Sequence, residues 1–280
     1  MKKISNSYTV KKLYENTYSI CDSGFGQGSV YMYLLVGNER ALLIDTGYGL
    51  LDLSAIVKEL TDKEVICVCT HGHIDHAMGA FQFENAYMHS DDTEVYAYHK
   101  DADNIRNMCY TGFSFKLPKR ITGNPDYRGY VEKLATTTHP PIKHLDDMGE
   151  FELGDRTVSW RLLPGHTPGS VVLTDEKYNT TFEGDAAGQG VWIHLRESSS
   201  LEEYIKTAKE YLDYLKKHGI AGRYGGHTDA PLSVTDLEKL IACCELAIAK
   251  PKKGFKLNTV FGQARIVAAK GSAVFCGKIR

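Results

Sequence analysis

The 280-residue sequence lacks an apolar run long enough to cross a membrane, and it lacks the apolar core of a secretory signal. A membrane-spanning helix needs about 20 consecutive apolar residues, and a signal peptide needs a shorter apolar stretch after its first basic residues. Two lysines follow Met1, but the residues after them are mostly polar. We therefore expect a protein that works in the cytoplasm and does not enter a membrane.

Paired cysteines and excess charge are missing as well. The seven cysteines are odd in number and include no Cys-x-x-Cys pair, which favours reduced thiols over a disulfide framework. The formal charge is −2, from 33 basic and 35 acidic residues. Because a chain without a basic surplus has no broad electrostatic surface for long nucleic acid, we expect a small-molecule partner and no nucleic acid.

The order of apolar patterns predicts an α/β protein, which we treat as one domain over residues 1–280. Apolar runs at 30–36 and 41–44 flank a short polar turn, as in a hairpin. Apolar residues then recur at helical spacing from 51 to 60, and a short apolar strand follows at 64–70. Strand, helix and strand in this order indicate helices packed on sheets.

Later segments extend this plan and interrupt it once. Residues 90–147 are more polar and richer in tyrosine, lysine and proline, and we interpret them as a mostly helical insertion. Further strands follow from about residue 150, with helical patterns at 200–219 and 235–250. A closing pair of strands is predicted after residue 259.

The strongest signal for chemistry is the motif His-x-His-x-Asp-His at residues 71–76, directly after an apolar strand. Neutral imidazoles and carboxylates are ligands that a borderline ion such as Zn²⁺ accepts. Four such side chains in six residues beside a hydrophobic strand would be costly to place without a function. The motif therefore predicts a metal site to which His71, His73, Asp75 and His76 contribute.

One loop cannot enclose an ion, and three more candidate ligands lie downstream. His166, Asp185 and His227 each follow a glycine, which lets the chain turn and direct the side chain outward. A single His or Asp in a turn is usually a cap or a hydrogen-bond partner, so these three carry weight only in combination with the motif at 71–76.

This series of motifs resembles the metallo-β-lactamase-fold hydrolase superfamily, from the Ile-Asp-Thr-Gly segment at 44–47 to His227. The resemblance implies a four-layer αβ/βα sandwich, with two facing sheets and outer helices. It also implies two divalent metal ions, most simply zinc, with iron or manganese as alternatives. The implied ligands of the first ion are His71, His73 and His166; those of the second are Asp75, His76 and His227; and Asp185 bridges both.

The same resemblance suggests a role for Asp45 and a mechanism. Asp45 would support the ligand loop, although an aspartate before Gly47 is equally well explained as a turn cap. Two ions that share an acidified hydroxide would attack an electrophilic carbonyl. Asp75 would additionally carry a proton to the leaving group as the catalytic residue.

Departures from well-known branches narrow the activity. Zinc β-lactamases of the common subclass resemble this pattern with cysteine in place of Asp185, and flavodiiron proteins carry an acid in place of His73. Family nucleases are expected to show a basic extension that is not evident here. A small carbonyl substrate remains, a lactone, thioester or other ester, as in glyoxalase II-like and lactonase-like members. A phosphodiesterase or nuclease, and a metal-binding regulator with little turnover, stay open.

The sequence offers only weak candidates for substrate contacts. Tyr224 adjoins the Gly-Gly-His run, and Tyr110 and Phe113 are aromatic residues of the insertion, which could act as a lid over the site. Core packing explains each of them equally well. A homodimer is the default expectation for a soluble enzyme of this kind.

Overall fold

The computed structural model describes residues 2–3, 8–22, 29–112, 127–259 and 261–277. Within these ranges, none of the helices is long and apolar enough to cross a membrane.

The first half of the chain forms an eight-stranded sheet whose strands follow chain order. The strands from β1 to β5 pair antiparallel, and those from β5 to β8 pair parallel. The predicted hairpin is confirmed, because Val36 pairs with Ala41 across the short turn. The strands are β1 Lys2–Lys3, β2 Tyr8–Tyr14, β3 Thr17–Asp22, β4 Val30–Val36, β5 Arg40–Ile44, β6 Glu64–Val68, β7 Asn85–His89 and β8 Lys143–Leu145.

A second sheet of six strands faces the first. Its order is β15-β14-β12-β11-β10-β9, and β12 and β14 are its one parallel pair among the described strands. The strands are β9 Met148–Glu152, β10 Thr157–Leu162, β11 Val171–Asp175, β12 Thr180–Phe182, β14 Gly222–Gly225 and β15 Thr228–Leu232.

Four strands form a third, separate sheet in the order β13-β18-β17-β16. The predicted closing strand pair is present as β17 Gly262–Ala269 and β18 Ser272–Cys276. Two strands that were not predicted complete the sheet, β16 Phe255–Thr259 on one side and β13 Gly190–Ile193 on the other. The chain end therefore builds a sheet of its own instead of closing a main sheet.

The helices are placed by their apolar faces. Helix α1 (Leu53–Leu60) packs on the first sheet, while α6 (Leu201–His218) and α7 (Val234–Ala249) pack on the opposite side. Helix α6 begins with a capping box between Ser200 and Glu203, which satisfies backbone N–H groups of its first turn. These helices confirm the helical patterns of the sequence.

The main sheets enclose a core of their own. Side chains such as Leu42 and Val68 from the first sheet meet Leu173 and Phe182 from the second. With helices outside both sheets, the layers follow the order αβ/βα, which confirms the predicted fold class.

Much of the predicted insertion is helical. It contains α3 (Thr93–His99), α4 (Ala102–Asn107), a π-helical turn (Met108–Gly112) and α5 (Tyr127–Thr136). The 3₁₀ segment Ser90–Asp92 lies at the start of the insertion, and the short helix α2 (Ile74–Ala77) and the 3₁₀ segment Met78–Gln82 precede it. The proposed lid action of the insertion stays a prediction.

Candidate metal centre

The first four candidate ligands lie where a buried parallel strand ends. Strand β6 ends at Val68, and the chain then leaves the sheet and forms the loop at 71–73 and helix α2. His71, His73 and His76 are all buried, at 8% exposure or less. The carboxyl end of a parallel strand is where α/β proteins commonly place ligands, and here the apolar strand fixes the start of the loop.

The other three candidates come from the second sheet. His166 follows β10, Asp185 follows β12, and His227 lies between β14 and β15. The backbone is crowded at this point, since a Cβ added to Gly226 would lie 2.5 Å from Cε1 of His76. Glycine is therefore needed beside His227 for close approach of the two loops.

A buried ion pair holds the loops of Asp185 and His227 together. The guanidinium of Arg223 on β14 donates to both oxygens of Glu183, at 2.7 Å each, and Tyr211 donates to Glu183 as well. Because Glu183 lies two residues before Asp185, this pair fixes the end of β12 against β14. A bidentate, hydrogen-bonded pair of this kind supplies geometric specificity.

The structure brings all seven predicted ligands together. Nδ1 of His73 lies 3.1 Å from Nε2 of His166, and the carboxylate oxygens of Asp185 lie 3.5 Å from Nε2 of His76 and 3.2 Å from Nε2 of His227. Three overlapping groups each have ligand atoms within 4.8 Å of one another: His71, His73 and His166; His71, His76 and Asp185; Asp75, His76 and His227.

Each histidine ring uses its outer nitrogen in a hydrogen bond and directs the other inward. Nδ1 of His166 lies 2.9 Å from the carbonyl of Trp192, and Nδ1 of His227 lies 2.9 Å from the carbonyl of Ser29. Nε2 of His73 lies 2.8 Å from Glu197. Such outer partners fix the tautomer and ring orientation of metal-binding histidines.

Asp45 organises the remaining two rings. Its carboxylate accepts from the backbone N–H of Thr70 at 2.7 Å, from the Thr70 hydroxyl at 3.0 Å and from Nδ1 of His76 at 2.8 Å. Nδ1 of His71 lies 3.0 Å from the same hydroxyl, which completes the chain of hydrogen bonds to Asp45. The position is also strained, because Asp45 has φ +62°. Asp45 therefore contacts the ligand loop directly, which a residue that only caps its own turn would not do.

The donor set fits divalent metal ions. Nε2 of His71 and Nε2 of His76 are buried without a hydrogen-bond partner among the described residues, a costly arrangement unless an ion binds there. Burial and neighbouring histidines hold the pKa of His71 well below its usual value, and burial lowers the pKa of His166 to about 4. Both rings are therefore neutral at neutral pH, the form that binds metal.

The second group carries more negative charge. Burial opposes protonation of His76, but the carboxylates of Asp185 and Asp75 outweigh it and raise its pKa to about 9. Cationic charge is therefore favoured at this position, whether it comes from a proton or from a metal ion.

Three contributing residues were not identified from the sequence. Glu197 contacts His73, and Asp92 accepts from Gly72 of one ligand loop and from Gly169 of another. His99 is buried beside His73, with ring centroids 4.8 Å apart. None of the three stands in a motif, so no sequence signal distinguishes them from other acids and histidines.

Five of the seven candidate ligands line a cleft of about 470 Å³: His73, Asp75, His166, Asp185 and His227. Its described lining also includes Trp192 and Phe261. This volume lies within the range of small-molecule sites.

Two of the three predicted substrate contacts, Tyr224 and Tyr110, lie among the described residues. Tyr224 is 4% exposed, stacks on Phe182 in the core between the sheets and bonds to the hydroxyl of Tyr14. Tyr110 bonds to Glu132 in the insertion. Neither is part of the described cleft lining, and Phe113 lies outside the described residues. Their contact with a substrate stays a prediction.

Comparisons with known proteins agree on the family. The family model of the metallo-beta-lactamase superfamily matches residues 25–217. The chain is 26% identical over 233 residues to the acyl-coenzyme A thioesterase MBLAC2 of Homo sapiens. The aligned region covers 79% of this chain and 81% of that protein. The chain is also 21% identical over 158 residues to the probable metallo-hydrolase YqgX of Bacillus subtilis. That alignment covers 56% of this chain and 66% of that protein.

Solved structures support the fold. The DIM-1 metallo-beta-lactamase superimposes with a TM-score of 0.59 at 16% identity, covering 86% of this chain and 98% of that one. A metallo-beta-lactamase from Pontibacter korlensis has a TM-score of 0.59 at 15% identity, covering 85% and 99%. The family model spans more than half of the chain, and the chain is a hydrolase that belongs to the metallo-beta-lactamase superfamily.

Proposed function

We propose that this chain is a dinuclear metal hydrolase that cleaves small thioesters, with acyl-coenzyme A thioesters as the main class. The observation that carries the proposal is the convergence of seven His and Asp side chains, five of which line one cleft, with two buried imidazole nitrogens that have no hydrogen-bond partner among the described residues. The thioester is favoured over other carbonyl compounds because relatives named acyl-coenzyme A thioesterase match most of the chain.

The residues divide into two sets. His71, His73 and His166 would hold the first ion; Asp75, His76 and His227 would hold the second; and Asp185, which lies near His76, His166 and His227, would bridge them. Zinc is the favoured metal, because imidazole nitrogens and carboxylates in a compact site suit it. Bound ions would acidify a water molecule and polarise the substrate carbonyl.

Hydrolysis also needs a side chain that transfers a proton to the leaving group. Hydrolysis breaks the C–S bond, forms a C–O bond with oxygen from water, and leaves a proton for the departing sulfur. Asp75 lines the cleft, and its Oδ2 lies 3.5 Å from Nε2 of His227 and 3.8 Å from Nε2 of His76. Asp75 is therefore placed to take up this proton and return it to the sulfur.

The cellular compartment and the partners of the protein are proposals of the same kind. All seven cysteines are free, which supports a reducing compartment such as the cytoplasm. The cleft has the size of a small-molecule site. We propose a small-molecule substrate, no nucleic-acid partner and a homodimeric enzyme.

The test is turnover of a panel by zinc-loaded and chelator-treated protein. The panel contains acetyl- and hexanoyl-coenzyme A, a glutathione thioester, a lactone, an aryl ester, a phosphodiester and a β-lactam. We expect chelator-sensitive cleavage of the coenzyme A thioesters above all others. A preference for the phosphodiester, or for any other class, would overturn the thioesterase proposal.

A matched pair of variants separates the metal centre from histidine loss in general. His71→Ala removes a buried inward ring, whereas His144→Ala removes an exposed ring on β8. We expect the first variant to lose at least a hundredfold in turnover and the second to retain it.

A further inference from the structure

One side of the cleft is apolar and comes largely from the third sheet. We call this surface the apolar wall; it consists of Trp192 on β13, Leu195 just after it, and Phe261 between β16 and β17. Trp192 and Phe261 are half-buried. Each of these two rings therefore packs against the protein on one side and is open to the cleft on the other.

Ring packing gives the wall a fixed shape. The indole of Trp192 stacks on Phe275, with centroids 5.0 Å apart and planes 25° apart. Phe261 meets Trp192 edge to face, with centroids 6.2 Å apart at 70°, and its ring lies 6.4 Å from His99. Aromatic pairs in such geometries are held more firmly than their area alone would require.

Hydrogen bonds hold the end of the hairpin that carries Phe261. The hydroxyl of Thr259 lies 3.1 Å from Nε2 of His194 and donates to the carbonyl of Gly262 at 2.7 Å. The backbone N–H of Phe261 donates to the same hydroxyl at 3.2 Å. Thr259 therefore ties the hairpin to the segment that carries Trp192.

The wall also adjoins the candidate metal centre. The carbonyl of Trp192 accepts from Nδ1 of His166, a predicted ligand, at 2.9 Å. Trp192 also lines the same cleft as His73 and His166, so a substrate whose reacting carbonyl lies at these histidines has the apolar wall within the cleft that holds it. The reacting group and the apolar wall share one continuous cleft.

We infer that the apolar wall binds the hydrocarbon chain of the acyl group, and that Phe261 makes the enzyme discriminate by chain length. This inference rests on the proposed thioesterase function for its substrate, but its chemistry is that of any substrate with an unbranched alkyl chain next to the cleaved bond. Phe261 lies on the hairpin between β16 and β17, which contributes none of the seven candidate ligands, so this hairpin adds specificity to the centre without building it.

The first test compares chain-length dependence in two phenylalanine variants. Phe261→Ala removes a ring of the wall, and Phe255→Ala removes an exposed ring at the other end of the same hairpin, 60% exposed. The measured quantity is the ratio of kcat/KM for octanoyl-coenzyme A to that for acetyl-coenzyme A. We expect Phe261→Ala to lower this ratio about tenfold, the equivalent of one to two buried methylene groups. Phe255→Ala should leave the ratio as it is.

An unchanged ratio in Phe261→Ala, in protein that melts at the wild-type temperature, overturns the inference. An equal fall in Phe255→Ala also overturns it, since the effect would then belong to the hairpin as a whole. If Phe261→Ala does not fold, Phe261→Leu replaces it, and the expected fall is smaller but in the same direction.

The second test needs no turnover. The chain has two tryptophans, and Trp160 packs on Phe151 in the second sheet. In the Trp160→Phe variant, tryptophan fluorescence comes from Trp192 alone. S-octyl-coenzyme A, a thioether that cannot be hydrolysed, should shift the Trp192 emission at concentrations where S-methyl-coenzyme A does not.

The two tests also separate this inference from the proposed function. A shift specific to the octyl compound supports the wall even if no thioester of the panel is cleaved, in which case the proposed function fails alone. Cleavage of thioesters without chain-length preference and without a shift leaves the function standing and overturns the wall.

Discussion

Asp45 shows how one side chain can position several others. It accepts three hydrogen bonds, two of them from Thr70 and one from His76, and it does so at φ +62°. Asparagine tolerates this backbone region nearly as well as aspartate. Exchange of the two therefore tests the carboxylate itself and leaves the backbone conformation satisfied.

We expect Asp45→Asn to weaken metal binding by about 10- to 100-fold, because the new amide NH₂ faces donors that the carboxylate accepted from. Competition with a coloured zinc chelator measures this affinity. The control is Asp52→Asn at the N-cap of α1, where asparagine serves as well as aspartate. Wild-type affinity in Asp45→Asn would show that the turn alone explains this residue.

Asp75 has a role that can be divided into two measurable parts. It belongs to the second set of candidate ligands, and it also lines the cleft. We expect Asp75→Asn to reduce turnover far more than metal content, because an amide cannot carry the proton but its oxygen can still coordinate. Steady-state kinetics and elemental analysis of the same sample provide the comparison. Equal losses of both would reduce Asp75 to a metal ligand only.

The sequence predicted the seven residues that meet in the centre and their outer partner Asp45, but not the partners Glu197 and Asp92. The ligands are recognisable because four of them are crowded into residues 71–76, in a pattern that packing does not need. Glu197 and Asp92 are single acids in ordinary surroundings, and their importance depends on which loops the fold brings to them. Tertiary contacts between distant segments leave no local pattern to read.

At the level of elements, Asp92 links two ligand loops. It lies at the end of a 3₁₀ turn, is fully buried, and accepts from Gly72, Thr167 and Gly169 at 2.7 to 2.8 Å. Three donors thus converge on one carboxylate. The loops that follow β6 and β10 are held at a fixed separation by this contact.

We expect Asp92→Asn to lower the free energy of unfolding by about 1–3 kcal/mol, since the amide NH₂ must face a buried donor. Urea denaturation measures the change. The matched control is its neighbour Asp91→Asn, whose side chain is 58% exposed and should change stability by less than about 0.5 kcal/mol. Similar effects of the two variants would show that the loops do not depend on Asp92.

Periodicity predicted the long helices and most strands, but not the third sheet. The apolar faces of α1, α6 and α7 are local patterns that a sequence displays directly. Strand β13 instead pairs in parallel with β18, about eighty residues later. Nothing in either strand specifies this partner, because pairing is decided by the assembled hydrogen bonds and packing.

At the scale of the whole molecule, the candidate metal centre lies where the two main sheets meet. His71, His73, Asp75 and His76 follow a strand of the first sheet, and His166, Asp185 and His227 belong to the second. Ions bound by both sets would join the halves of the sandwich. The ions would also satisfy the two buried ring nitrogens, of His71 and His76, that have no hydrogen-bond partner in the described part of the chain.

Metal binding should therefore stabilise the entire fold. A ligand present at a thousand times its Kd adds about 4 kcal/mol, which corresponds to roughly 10 °C in a protein somewhat larger than 250 residues. We expect chelator treatment to lower Tm by this amount and added zinc to restore it, measured by scanning calorimetry. His71→Ala should lose most of the shift, whereas His144→Ala should keep it, because His144 is exposed on β8. An identical Tm with and without metal would mean that the two sheets are held by their apolar core alone, and that the seven side chains meet without contributing to the stability of the sandwich.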